Sequence, residues 1–127
     1  MKLLITGSRD ATPGMIEYTK KVVDRANKLG WFIIVGDAPG IDWMVIVHCD
    51  LLGVPVEVHG AYNKMRNSTS TGKNSTHDCS YPLRDLIMAD LCDRCMAIWN
   101  GKSKGTMITY KAVTALGKPV DLKTFKE

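Results

Sequence analysis

Aromatic residues are scarce in this chain of 127 residues, 7% of the total and only two of them phenylalanine. A basic groove with stacking platforms along it, the usual carrier of a single nucleic-acid strand, is hard to build from so few rings. Long apolar runs are lacking as well, and none approaches the roughly 20 residues of a membrane helix. The start, Met1-Lys2-Leu3-Leu4-Ile5-Thr6-Gly7, has no signal-peptide core or cleavage site and reads better as a first strand. The expectation is a cytoplasmic protein with no membrane partner.

Cysteine is limited to four residues, expected to stay reduced in that compartment. Cys92 and Cys95 form one CxxC, with His77 and Cys79 upstream. The spacing is poor for zinc, so the cysteines read as small buried hydrophobes, and neither a metal nor an organic cofactor is expected. Lysine and arginine exceed aspartate and glutamate by 17 to 13, a net charge of +4. That excess suits an anionic ligand and is too mild to identify nucleic acid.

What is present is a repeated device. Leu3-Leu4-Ile5-Thr6-Gly7-Ser8-Arg9, Phe32-Ile33-Ile34-Val35-Gly36-Asp37-Ala38-Pro39-Gly40-Ile41-Asp42 and Met96-Ala97-Ile98-Trp99-Asn100-Gly101-Lys102-Ser103-Lys104-Gly105-Thr106 each run from an apolar strand through a glycine loop into a helix-like stretch. Strands buried on both faces and alternating with helices build a parallel sheet, and their loops gather at its carboxyl edge, where ligands bind.

The remaining pattern fits one domain over residues 1–127. Helices are expected over Pro13–Leu29, Gly40–Leu52, Pro82–Leu91 and Gly105–Leu116, and strands over Trp31–Val35, Val54–Val58, Arg94–Trp99 and Pro119–Leu122. With the first strand this makes five strands and four helices, an α/β, Rossmann-like three-layer sandwich with a five-stranded, mainly parallel sheet. From about residue 59 to 80 no element is apparent, and this polar insert reads as a lid or as a disordered loop.

The loops supply the candidate ligand-binding residues. Gly7 lets backbone approach a ligand, Ser8 adds a hydroxyl, and Arg9 offers a planar fork to phosphate. Gly36, Asp37, Ala38 and Gly40 shape a tight loop before a helix whose amides face an anion. Asp42 in that helix's first turn fits a dipole role, a ribose contact or a catalytic base, and Asp37 is the second candidate carboxylate for catalysis. Asn100, Gly101, Ser103, Gly105 and Thr106 form a cradle beside Lys102 and Lys104 without Walker spacing. Arg84, in the first turn of its helix, reaches the same pocket if that helix starts at the same edge. Trp99 is read as a stacking surface or as core, and His48, Tyr110 and the methionines as packing.

In this order the motifs resemble the SLOG superfamily, which includes the DNA-processing protein DprA (Smf) and the LOG phosphoribohydrolases, and they look most like its stand-alone cpYpsA-related, YspA-like branch. The matching pieces are Gly7-Ser8-Arg9, Gly36 to Asp42, Tyr81-Pro82-Leu83-Arg84-Asp85-Leu86-Ile87-Met88-Ala89, and Gly101 to Thr106 with Lys118-Pro119-Val120 behind. The resemblance implies strand order 3-2-1-4-5 and a nucleotide-type pocket over strands one, two and four. It also implies ligands such as ADP-ribose, nucleoside phosphates or cyclic nucleotide signals. The LOG enzymes carry a glutamate three residues after the Gly-Thr of their last loop, and here that position is Thr109.

Three functions follow as expectations. The first is a sensor or sequestering protein for a nucleotide-derived anion; the second is a hydrolase or transferase at a nucleotide's N-glycosidic bond; the third is DprA-like binding of single-stranded DNA, the less expected of the partners. Self-association as a homodimer or higher homo-oligomer, through the apolar helix Ile41 to Leu52, is a further expectation.

Overall fold

A computed structural model describes residues 1–126. Lys2–Gly7 forms β1, Pro13–Lys28 α1, Phe32–Gly36 β2, Ile41–Leu52 α2 and Val56–Gly60 β3. Lys73–Thr76 forms β4, Tyr81–Leu91 α3, Arg94–Trp99 β5, Lys104–Ala115 α4 and Val120–Thr124 β6. The sheet has six strands in the order β4-β3-β2-β1-β5-β6, and every pairing is parallel. The five anticipated strands keep the order 3-2-1-4-5; β4 adds a sixth outside β3.

Strand alternation explains the two cores. Leu3, Ile5, Ile33, Val35, Val56 and Val58 point to the face covered by α1 and α2, where Met15, Val23, Val45 and Ile46 meet them. Leu4, Ile34 and Cys95 point the other way, against Met88, Ala89, Cys92 and Val113 of the α3–α4 layer. Leu4 is fully buried, so truncating it to alanine costs about 2–5 kcal/mol. Cys92 and Cys95 are packing residues of this second core, and burial pushes both thiols up.

The helix ends follow from local chemistry. Thr12 caps α1 by accepting a hydrogen bond from the Met15 amide, with Pro13 at the first helical position. Gly53, at φ 70°, closes α2 in the left-handed conformation. Lys118 donates from Nζ to the carbonyls of Ala89, Asp90 and Cys92 at 2.7–2.8 Å, which ties off the end of α3.

The polar insert departs from expectation. Its residues 73–76 are β4, a strand without an apolar face, held to β3 by backbone pairing from Glu57↔Lys73 to Gly60↔Thr76. The preceding turn is fastened to α2, because Asp50 accepts hydrogen bonds from the Ser70 amide at 2.9 Å and from the hydroxyls of Thr69, Ser70 and Thr71. The proposed interface helix α2 turns Ile41, Val45, Ile46 and Cys49 into its own core and leaves Trp43, Leu51 and Leu52 exposed. Among the described residues no helix is long and apolar enough to cross a membrane.

Candidate functional site

Parallel strands bring the N-terminal turns of α2, α3 and α4 to one edge of the sheet, and a cleft of about 280 Å³ opens between them. No side chain caps any of these three helices, so the positive ends of their dipoles face an open space. Thr6, Gly7 and Arg9 line it from β1 and its loop, Gly36, Ala38 and Asp42 from the second loop, and Ser103, Lys104, Gly105, Thr106 and Thr109 from α4 and its approach. Tyr81, Arg84, Asp85 and Met88 of α3, with Arg66 from the polar insert, complete the wall.

The floor is a network of buried charge. Asp37 is fully buried and accepts hydrogen bonds from the Arg66 amide at 2.8 Å, from Arg66 Nη2 at 2.9 Å and from Arg84 Nη1 at 2.9 Å. Arg84 Nη1 also donates to the His59 carbonyl at 2.7 Å, and its Nε donates to Asp85 Oδ1 at 2.9 Å. Burial works against ionising Asp37, yet the Arg66 hydrogen bonds and the two guanidinium charges outweigh it and hold the carboxyl below its ordinary range.

Asp42 is placed differently. It is 6% exposed, takes a hydrogen bond from the Ala38 amide at 3.3 Å, and is pushed up to about 7 by burial, against the pull of Arg84. Asp85 is raised for the same reason, with Arg84 and the Thr109 hydroxyl opposing. Two guanidinium groups therefore face three carboxyls, of which Asp42 and Asp85 are raised and only Asp37, bonded by both arginines, is held low.

Gly36 makes this possible. A β-carbon there would lie 2.7 Å from Asp42 Oδ2 and 3.1 Å from Arg84 Nη1, so glycine lets both groups keep these positions.

The structure gathers Gly7, Arg9, Gly36, Ala38, Asp42, Arg84, Ser103, Gly105 and Thr106 around one hollow. It does not bring the other candidates to the surface of that hollow. Ser8 is fully buried, and its Oγ accepts from the Asn100 amide at 3.0 Å, so it fastens the first loop to the third. Asp37 lies behind the two arginines. Gly40, at φ 82°, lets the second loop press against the backbone of Ser8 and Arg9, where any β-carbon would collide.

Asn100 and Gly101 line a separate cleft with Asp10, Thr12 and Lys102. Asn100 Oδ1 accepts from the amides of Lys102 and Ser103, a turn that aims α4. Trp99 donates from Nε1 to the Ser103 carbonyl at 2.9 Å and braces the same loop.

Arg66 is the residue the sequence hides. Its partner Asp37 is 29 positions away, its guanidinium stacks 4.1 Å above the Tyr81 ring, and nothing in a Ser-, Thr- and Asn-rich stretch announces it. Tyr81 and Asp85 were not among the expected site residues, although they stand beside Arg84 in the Tyr81–Ala89 motif and that proximity could have found them. Among the described residues no group of three or more His, Cys, Asp or Glu is placed to hold a metal ion.

A parallel three-layer sandwich with its cleft at the carboxyl edge defines a Rossmann-like architecture. No family model and no curated protein matches the chain. Solved structures do. The molybdenum cofactor binding protein of the phototrophic bacterium Rippkaea orientalis is similar with a TM-score of 0.83 and 16% identity, over 98% of this chain and 76% of that one. The molybdenum cofactor carrier protein of Chlamydomonas reinhardtii gives 0.77 and 16%, over 98% and 77%. DNA processing protein A of Helicobacter pylori, described for its single-stranded DNA binding mode, gives 0.77 and 19%, over 96% and 64%. At these identities the likeness is one of fold, and the fold of this chain is the one these solved structures share.

Proposed function

We propose that this chain binds a nucleotide-derived anion at the carboxyl edge of its sheet and acts as a sensor or sequestering protein for it. The observation that carries this reading is the convergence of three uncapped helix N-termini with Arg9, Arg66, Arg84 and Lys104 on one cleft. Solved structures of the same fold are named for a molybdenum cofactor and for single-stranded DNA, so the fold carries ligands of more than one kind. A cytoplasmic setting agrees with four free cysteines.

Thermal unfolding in the presence of AMP, ADP-ribose, NAD and cyclic AMP tests the reading. A ligand at a hundredfold excess over its Kd adds about 2.7 kcal/mol of stability. A rise in Tm with at least one of these, reduced in Lys104→Ala, is expected; no shift across the panel overturns it.

One observation favours hydrolysis of an N-glycosidic bond as a second reading. Asp42 is a buried carboxyl with a pKa near neutrality, the range of a general acid. Asp85 also places a carboxyl beside Thr109, the position where LOG enzymes carry glutamate. Release of free base from nucleoside monophosphates, lost in Asp42→Asn, would establish that reading over simple binding. Binding of DNA strands is the weakest of the three, because Tyr81, the ring that lines the cleft, already carries Arg66 on one face.

A further inference from the structure

Four helices cover six strands, and the two faces of the sheet are not covered alike. On one face α3 lies over β1, β2 and β3, and α4 over β1, β5 and β6. On the other, α1 and α2 lie over β1, β2 and β3, and among the described residues no helix lies over β5 and β6. A bay of about 520 Å³ remains there beside α1, floored by Leu3, Val22, Trp31 and Met96. Along α1 it runs from Tyr18 to Leu29, about 16 Å of helix. It shares no lining residue with the cleft at the carboxyl edge.

The bay's charge is mainly of one sign. Lys21, Arg25 and Arg94 line it with a single carboxylate, Asp121, which Arg94 already holds at 2.9 Å. Lys123 adds a fourth cation, 5.8 Å from the Tyr18 ring. Among the described residues Lys21, Arg25 and Lys123 have no ion-pair partner. An apolar floor beside unpaired cations suits an occupant that is apolar on one side and acidic at its flanks.

The occupant's backbone is constrained as well. β5 is paired with β1 on one side and β6 on the other, so a segment lying on this face finds no backbone partners in the sheet and must satisfy its own. A helix does so, and α1 offers it a flank, as it offers the other flank to α2. A second copy of this chain seated symmetrically would set Lys21, Arg25 and Lys123 against the same cations. A nucleic-acid strand would find the rings already attended, since Arg94 lies over Trp31 at 5.9 Å and Lys123 over Tyr18.

We propose that the bay between α1 and the β5–β6 pair docks an acidic amphipathic helix of a partner protein, about three turns long. Its apolar stripe lies on Val22, Trp31 and Met96, and its carboxylates meet Lys21, Arg25 and Lys123. The inference does not depend on what the cleft binds.

A synthetic peptide of about 18 residues, with leucine at i, i+3, i+4 and i+7 and glutamate on either side, tests the proposal on the full chain. Two twins accompany it, one with lysine for glutamate and one with alanine for leucine, together with a single strand of thymidylates. The glutamate peptide should bind at micromolar concentration and shift the amide NMR signals of α1 and β5–β6, leaving those of Gly105 and Thr106 in place. Both twins should bind at least about tenfold more weakly. In the double variant Lys21→Glu, Arg25→Glu the preference should invert, with the lysine twin binding better than the glutamate peptide.

Equal binding of the lysine twin overturns the proposal, as does a glutamate peptide that fails to bind at about 1 mM or shifts only the amides of the cleft. A thymidylate strand that moves the α1 and β5–β6 amides at lower concentration than the peptide assigns the bay to nucleic acid and overturns it too. Lys21 and Arg25 are exposed, so the double variant should melt near the parent. Should it not fold, the comparison of peptides on the unaltered chain decides.

Discussion

Ser8 and Asn100, 92 positions apart, are joined by a hydrogen bond of 3.0 Å from the Asn100 amide to the Ser8 hydroxyl. Ser8 also donates its own amide to the Ile98 carbonyl and accepts from the Ile41 amide at its carbonyl, each at 3.1 Å. One buried serine thus pins the first loop to both the second and the third. Its position relative to α2 and α4 sets the width of the cleft.

Ser8→Ala should therefore cost about 1–3 kcal/mol, because the Asn100 amide is left without its partner. Urea denaturation measures the loss. Ligand affinity should fall as well, since the turn that aims α4 is no longer fastened. A variant of unchanged stability and affinity would show that the loops hold their places without this bond.

Asp42 makes stability depend on pH in an unusual direction. Its ordinary pKa is 3.8 and its folded value about 7. Between these limits the folded chain keeps a proton that the unfolded chain releases, so stability is greatest near pH 4 and declines as pH rises through 7. The slope approaches about 1.4 kcal/mol per pH unit. Asp42→Asn should remove most of it, leaving the share of Asp85, whose carboxyl is also raised, and should leave the variant more stable than the parent at pH 8, by at most about 4 kcal/mol. Asp37 and Asp50 are both held low and act on the other limb, where stability falls as pH drops below their ordinary range. Unfolding measured from pH 4 to 8 on both proteins separates these contributions.

Asp50 anchors the turn before β4 through one amide and three hydroxyls. Asp50→Ala should release residues 69–71 and let β4 fray from β3, with a global cost of about 1–3 kcal/mol. Hydrogen exchange at Lys73–Thr76 should accelerate while the amides of β1 and β2 stay protected. Uniform protection in the variant would show that backbone pairing alone holds the edge strand.

Most of the fold could be read from hydrophobic pattern. Strands such as Leu3–Ile5 and Ile33–Val35 are apolar on both faces because each lies between two helical layers, and that burial writes itself into composition. β4 could not be read this way. Lys73, Asn74, Ser75 and Thr76 bury almost no apolar surface; their strand exists because β3 offers an unpaired edge and Asp50 holds the approach.

The lining of the cleft was legible where glycine and helix starts mark it, as at Gly7, Gly36 and Gly105 to Thr106. It was opaque where side chains pair across long separations. Asp37 looks like a ligand contact in the sequence and proves to be the counter-charge of Arg66 and Arg84, because no periodicity records which arginine a buried carboxylate meets.

Gly36 divides the cleft into a half that resists change and a half that accepts it. A β-carbon at Gly36 would meet the ends of the Asp42 and Arg84 side chains, so substitution there must displace one of those charged groups. The mouth is less constrained, because Gly105 has open space around its α-carbon and Lys104 is exposed to solvent. Substitutions at the entrance should therefore be absorbed more readily than substitutions at Gly36, where a side chain must push charged groups aside.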